Sequence, residues 1–472
     1  MKSRLNHKCF GLVFVALTLV LSEPLAKAQA SGTLIITNVT VIDGTGAPAK
    51  PQMTVLVKNG IIREIARNLV VPRDAEVIDG RGKFLIPGLW DMHVHLVYSD
   101  ESSLPLYVAN GVTSVRDMGG SLTIINHWRE EIAGGQVLGP TIQGAAGPII
   151  ESAAWVKQIE TVVWPMLKRK GIQPKGWGNI TNIPVASPAE AEGAVRKVRE
   201  AGGDFVKVRT AASLDTYLAL VAAAKKLGLL FASHPPPQGG LLQASNAGAN
   251  SIEHFMCEGS VNGLPEVKQL DLFSSIARNR TWMDPTIVSG LAHSMEDDEV
   301  ASVIASEAAV NGPRPHLLSE KLAESFRKDY QIGRSLGASG SKKEDRASDE
   351  KELACLSRMH RAGVGFLAGT DVGSILVFPG FSLHEELNNL VKYVGLSPME
   401  AIQAATLNAA KFFGVDDKTG TIEVGKAADL VLLEANPLQD IRNTKSISIV
   451  VIRGKVISKL QIEKTLHPGK RP

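Results

Sequence analysis

The sequence predicts an α/β protein, a closed barrel of βα units with a small β-sandwich built from both chain ends. Three observations predict it. Apolar strand-like runs alternate with amphipathic helical stretches through the middle of the chain, the sequence form of a parallel sheet wrapped by helices. There are eight such runs, the number that suits a closed barrel. Short β-branched runs separated by Gly and Asn turns occupy both ends. At 472 residues, 44% hydrophobic and 21% charged, the chain has room for one barrel and an accessory module, and its composition excludes long disorder or a fibrous rod.

In chain order, residues 1–30 come first. Lys2, Arg4 and Lys8 precede an apolar run of 13 residues from Cys9 to Leu21, and Ala28-Gln29-Ala30 supplies small residues for cleavage. This predicts a secretory signal peptide cleaved near Ala30, and a periplasmic or secreted protein. The run is too short to span a bilayer as a helix, and Cys9 precedes it, so no permanent membrane anchor is expected. The formal charge of +3 vanishes with this segment, and no long basic stripe follows, which argues against a nucleic-acid partner. Only Cys257 and Cys355 remain in the mature chain, so packing must supply the core. Whether they pair stays open.

Residues 31–86 form the first part of the β-sandwich, with runs at Leu34-Ile35-Ile36, Val39 to Ile42, Met53 to Val57 and Ile61-Ile62. The barrel is assigned to 87–418. Its strands are expected at Leu89 to Leu96, Thr113 to Asp117, Thr141 to Ala145, Phe205 to Arg209, Leu230 to His234, Ser251 to Phe255, Trp282 to Ile287 and Gly365 to Asp371. Helical periodicity is clearest at Pro188 to Ala201, Ser213 to Leu227 and Pro398 to Phe413. Residues 419–472 return to β texture at Leu430 to Leu433 and Ile447 to Ile452, completing the sandwich and leaving a tail. Two connections are long, Ile150 to Pro184 with Trp155, Trp164 and Trp177, and Ser289 to Asp349. Long loops of a barrel are usually functional. The doubly charged run Ser341 to Glu352 reads as a solvated loop or helix face.

The chemistry gathers at predicted strand ends. In Asp91-Met92-His93-Val94-His95 the two histidines are one pleat apart, so both imidazoles face one space and can chelate one divalent ion. Alone, a His-x-His pair is equally a satisfied core or surface pair. His234, His254 and Asp371 each close another strand-like run, at the face where barrel enzymes place catalytic groups. Five such nitrogen and oxygen ligands suit zinc or a similar metal. Lys207 lies inside Phe205-Val206-Lys207-Val208; it either snorkels to the rim or is neutral or chemically altered, because an ammonium beside cations is strongly disfavoured.

At this point the chain resembles the metal-dependent amidohydrolase superfamily, in its imidazolonepropionase-like and prolidase-like branch. The resemblance runs from Asn38 to Gly44 through to Gly425 to Val431, and is most specific at Pro87 to His95, Gly111 to Asp117, Ser251 to His254 and Ala368 to Asp371. It implies a (β/α)8 TIM-type barrel plus the small β-sandwich. It also implies two divalent metal ions, zinc by preference: one held by His93, His95 and Asp371, the other by His234 and His254, with Lys207 bridging them as a carbamate. The implied reaction is hydrolysis of a carbon–nitrogen bond in a small amide, dipeptide or cyclic amide through a metal-bridging hydroxide, with Asp371 as general base and acid. One departure is the run Pro235-Pro236-Pro237 after His234, which restricts the backbone and removes three amide donors near the second metal.

Two further residues are candidate substrate contacts. Arg116 closes the second strand and either meets a substrate carboxylate or joins a structural ion pair. His384, just beyond the last strand, is close enough in sequence to reach the pocket. The rival readings are a lactonase or esterase using the same site, and a catalytically silent ligand-binding barrel. A homo-oligomer stays open.

Overall fold

The computed structural model describes residues 32–99, 101–169, 181–237, 240–255, 257–308 and 342–466. The expected signal peptide, Trp177 and most of the second long connection lie outside them. No helix among the described residues is long and apolar enough to cross a membrane.

Strands from both chain ends build one mixed sheet. It contains β1 (Thr33–Val41), β2 (Lys50–Lys58), β3 (Ile61–Ala66), β4 (Glu76–Asp79) and β5 (Phe84–Pro87). From the far end come Leu430–Leu433, Ile447–Ile452 and Lys455–Ser458. The joint is antiparallel pairing of β5 with Leu430–Leu433, Leu85 opposite Leu432. One face of this sheet closes over its own core of Ile36, Val41, Val55, Leu85, Leu430 and Val451.

β5 leads after one residue into β6 (Leu89–Val94), the first of the parallel strands. It is followed by β7 (Val112–Asp117), β8 (Thr141–Ala145), β9 (Ile149–Ser152), β10 (Asn182–Val185), β11 (Phe205–Val208), β12 (Leu230–Ser233), β13 (Ser251–Glu253) and β14 (Trp282–Asp284). They lie in two sheets, β6-β7-β8 and β10-β9-β11-β12-β13-β14. Every residue of β6 and β7 is buried, as expected where helices cover one face and other strands the opposite one. Helices cap these units with local chemistry read from sequence: Ser213 accepts from Thr216 N–H, and Ser397 and Glu400 form a capping box with Pro398 in the first turn.

Three expectations need correction. The run Gly365 to Asp371 is no regular strand; it pairs only through the isolated bridges Met283 to Phe366 and Val94 to Val372. Asp371 itself has left-handed backbone, φ 64°, which no strand sustains. The segment still bonds on both sides, Leu367 N–H to Met283 O at 2.8 Å and Asp371 N–H to His93 O at 2.7 Å. The connection Ile150 to Pro184 is not a bare loop: it carries most of β9, most of β10, and helices Ala153–Gln158 and Trp164–Arg169. The periodic stretch Pro398 to Phe413 divides into helices Pro398–Ala404 and Leu407–Phe413, because Thr406 takes a non-helical conformation between them. The charged run from Ser341 belongs to the helix Lys342–Arg361. Its upstream neighbour Cys257 is disulfide-paired to Cys355 on that helix, with Cα atoms 6.3 Å apart.

Candidate active site

His93 and His95 come from the end of β6, and their Nε2 atoms lie 3.5 and 3.7 Å from Oδ1 of Asp371. The three ligand atoms all fall within 4.8 Å of one another. Beside them His254 packs its ring 4.8 Å from that of His93 and 4.4 Å from that of His234, centroid to centroid. The Nε2 atoms of His234 and His254 are 3.1 Å apart. Strands β12 and β13 end one residue before these two histidines, so each side chain leaves the sheet where the chain turns away. His254 and Asp371 both hold positive φ, 68° and 64°, and Thr286, which stands 2.8 Å from His254 Nδ1, has φ 48°. Non-glycine residues pay for such conformations, and three together mark a place where side-chain aim outweighs backbone comfort.

Tautomers follow from the outer partners. His93 Nδ1 donates to Oε2 of Glu253 at 3.0 Å, and His95 Nδ1 donates to the Gly119 carbonyl at 3.2 Å. That leaves both Nε2 lone pairs facing the same carboxylate oxygen. Burial lowers the pKa of both imidazoles, so the neutral form is the natural one. Buried His93 Nε2 has no hydrogen-bond partner. Two lone pairs and an anionic oxygen converging on one point repel one another unless a cation lies among them, so this set fits a divalent metal. On Asp371, burial alone would raise the pKa, but His93, His254, His95 and the Ser374 hydroxyl hold it below the ordinary carboxylate value.

Lys207 sits on β11, 1% exposed, with Nζ buried and unpartnered. Burial pushes its pKa down to about 8, which brings the neutral amine within reach near physiological pH.

A second layer of charge lies beneath the ligands. Arg116 donates from Nη2 to Glu253 Oε2 at 2.8 Å and to Asp284 Oδ2 at 2.9 Å, from Nη1 to Ser251 Oγ at 3.0 Å, and from Nε to the Met92 carbonyl. All three charged side chains are fully buried. His93, Glu253 and Asp284 also cluster as metal ligands would, but Arg116 already neutralises that pair of acids. Asp91 ties β6 to the Thr370 segment, accepting from Thr370 N–H at 3.0 Å and from its hydroxyl at 2.6 Å. Gly369 is required here: a Cβ would stand 2.6 Å from the Asp284 carboxylate and from His93 Cβ.

The site opens into a cavity of about 620 Å³ lined by His234, His254, Ser289 and Asp371 on one side and by Asp349 and Glu352 of the helix Lys342–Arg361 on the other. Ser289 and Ser374 both donate to Asp371 Oδ2, at 3.0 and 2.6 Å, which holds that oxygen while Oδ1 faces His93 and His95.

The amidohydrolase family pattern matches residues 84–457, most of the chain. The chain belongs to the amidohydrolase family. This amidohydrolase is therefore a metal-dependent hydrolase acting on carbon–nitrogen bonds, and its family carries a TIM barrel. It is 23% identical over 460 residues to the ochratoxinase of Aspergillus niger, covering 89% of this chain and 84% of the relative. A Xaa-Pro dipeptidase structure with bound methionine superposes with TM-score 0.66 at 23% identity, covering 90% of this chain and all of the other. Phenylurea hydrolase B superposes with TM-score 0.65 at 21% identity, covering 91% and 97%.

Sequence reasoning placed six residues of the amidohydrolase in one site, and the structure brings His93, His95, His234, His254, Lys207 and Asp371 into one region. The two expected substrate contacts are corrected. Arg116 is sealed at 0% exposure with its donors spent on the network below the ligands. His384 is also 0% exposed, because the helix Phe381–Asn389 turns it toward Thr444, whose hydroxyl is 2.9 Å from Nδ1. Glu253, Asp284 and Ser289 escaped notice. A carboxylate just before the candidate ligand His254, at the end of a strand-like run, is the available signal.

Proposed function

We propose that this protein is an exported binuclear amidohydrolase that cleaves the amide bond of a small acylated amine, dipeptide or cyclic amide. His93, His95 and Asp371 would hold one divalent ion, zinc by preference, His234 and His254 would hold a second, and Lys207, as a carbamate on Nζ, would serve both as an anionic oxygen ligand. The observation that carries this reading is the convergence of two Nε2 lone pairs on Oδ1 of Asp371, 3.5 and 3.7 Å away, with no hydrogen-bond partner for buried His93 Nε2. The neutral amine that burial makes accessible at Lys207 is the form that adds carbon dioxide, and the resulting carbamate would be an anionic oxygen ligand that removes the cost of an ammonium beside two metals. The backbone bonds that run from β6 through β14 and the Gly365 segment back to β6 support a closed (β/α)8 barrel. The Cys257–Cys355 pair suits an oxidising compartment, which supports the export expected from residues 1–30.

Divalent ions bound here supply Lewis acidity, lowering the pKa of water and polarising the scissile carbonyl. The protein supplies orientation and proton traffic. Asp371 takes the proton of the attacking water and returns it to the leaving nitrogen, so the water oxygen bonds to carbon as the C–N bond breaks. Ser289 and Ser374 keep the Asp371 carboxylate in one plane throughout. His254, aimed by Thr286, and His93, aimed by Glu253, hold their rings without conformational search.

The deciding experiment is elemental analysis of protein produced with zinc and bicarbonate, followed by a matched amide and ester panel. About two divalent ions per chain with amide turnover is the expected result. Ester turnover alone would move the assignment to a lactonase or esterase, and metal-free, inactive protein would end the proposal.

A further inference from the structure

Arg209 follows Lys207 by two residues, so both side chains leave the β11 strand line on the same face. Its N–H is bonded to the Ile150 carbonyl at 3.0 Å, which fixes it against β9. There Glu151, 0% exposed, accepts a hydrogen bond from Arg209 Nη2 through Oε1.

This pair is not self-contained. Arg209 Nε and Glu151 Oε2 are both buried without a hydrogen-bond partner, while the arginine side chain keeps 26% of its surface exposed. Arg116 shows the opposite condition, every edge of its guanidinium occupied and none exposed. The His234 N–H bonds the Val208 carbonyl at 2.9 Å, one residue before Arg209, so the arginine leaves the chain beside His234 and two residues from Lys207. A buried carboxylate that pins one edge of a half-open guanidinium leaves the remaining donors as a planar fork, the geometry that receives a second carboxylate.

We propose that Arg209, held by Glu151, is a specificity-determining residue that binds a free substrate carboxylate, so that the substrates are N-acylated amino acids or dipeptides rather than neutral amides. The proposal rests on the amide-hydrolase reading above. Arg116, which the sequence reads as either a substrate-carboxylate contact or a structural ion pair, is committed to the buried network, and the proposed carboxylate contact lies one residue past the Lys207 strand.

The test compares zinc-replete wild type, Arg209→Gln and Arg209→Lys on a panel of N-acyl-L-amino acids and the matching N-acyl amino alcohols, which differ only in carboxylate against hydroxymethyl. Zinc content and melting temperature are recorded for each protein. Wild type is expected to prefer the acids, and Arg209→Gln to lower kcat/KM for acids about 10- to 100-fold more than for alcohols, mainly through KM. Arg209→Lys keeps the charge without the fork and is expected to lose part of that preference, which also covers failure of the glutamine variant to fold. Equal losses on acids and alcohols, or a wild type without preference, would overturn the role of Arg209 while leaving the amide-hydrolase reading intact. No turnover of any panel member by zinc-replete wild type would defeat both.

Discussion

Oε2 of Glu253 lies 3.0 Å from Nδ1 of His93, and the same oxygen receives Nη2 of Arg116 at 2.8 Å. One carboxylate oxygen therefore sets the tautomer of a candidate ligand while also accepting from a buried guanidinium. A glutamine at this place cannot accept both bonds through one oxygen with the same strength. Glu253→Gln is expected to weaken metal affinity about 10- to 100-fold, read by chelator competition. Unchanged affinity would mean that the orientation of His93 comes from packing alone.

The same network sets the cost of losing Arg116. Burial and the neighbouring Glu253 already push the Asp284 carboxyl well above its ordinary range, and Arg116 is the group that opposes this. Arg116→Met preserves much of the side-chain volume but leaves Glu253 and Asp284 facing each other without a cation. We expect a loss of about 3–5 kcal/mol in denaturant unfolding. A substrate-binding arginine would instead raise KM with little change in stability.

Asp371 separates binding from proton transfer. Asp371→Asn can keep its one oxygen toward His93 and His95, turning its NH2 toward the Ser289 and Ser374 hydroxyls, which then accept, but it has no basic carboxylate. The expected outcome is a fall in kcat of about 10²- to 10⁴-fold with metal largely retained. For Lys207→Ala the order reverses: metal content falls first, and short carboxylic acids restore part of it by replacing the carbamate oxygens. Full metal content in Lys207→Ala would remove the bridging role.

Cys257 lies three residues beyond His254, and its disulfide closes a loop across a sequence separation of 98 to the helix that walls the cavity. Its N–H is further held by Glu352 Oε2 at 2.7 Å. Paired Cys257→Ser and Cys355→Ser substitutions are expected to cost about 2–5 kcal/mol, mostly through the unfolded chain. A melting temperature insensitive to both the substitutions and to reductant would show the pair to be dispensable.

What the sequence disclosed about the site was whatever local spacing controls. His93 and His95 are legible because a pleat repeats every two residues, and Lys207 because a lysine amid apolar strand residues demands an explanation. Glu253, Asp284 and Arg116 form their triad across three strands 137 and 168 residues apart from the arginine, and no local pattern encodes that. The eighth strand was misread for a related reason. Only isolated bridges form along it and Asp371 is left-handed, yet the apolar run Phe366-Leu367-Ala368 between its glycines reads as a buried strand. His384 was misplaced because proximity in sequence to the last strand says nothing of which way a helix faces; the helix Phe381–Asn389 buries it.

That burial has a pH signature. Burial, followed by the charge of nearby Lys445, lowers His384 to about 3 from an ordinary value near 6.5, although the Asn110 backbone opposes the shift. Its Nδ1 meets Thr444 Oγ1 at 2.9 Å. The folded state therefore keeps His384 neutral while the unfolded chain takes a proton as pH falls below 6.5, so the contribution to stability is present above that value and drains away toward pH 3. The slope for one such group is about 1.4 kcal/mol per pH unit. His384→Gln, which can still bond Thr444 but cannot titrate, is expected to flatten the stability profile between pH 6 and pH 4 by about 2–3 kcal/mol relative to wild type. Denaturant midpoints measured across that window with zinc held saturating decide the matter, and parallel profiles for the two proteins would show that His384 is protonated in the folded state after all.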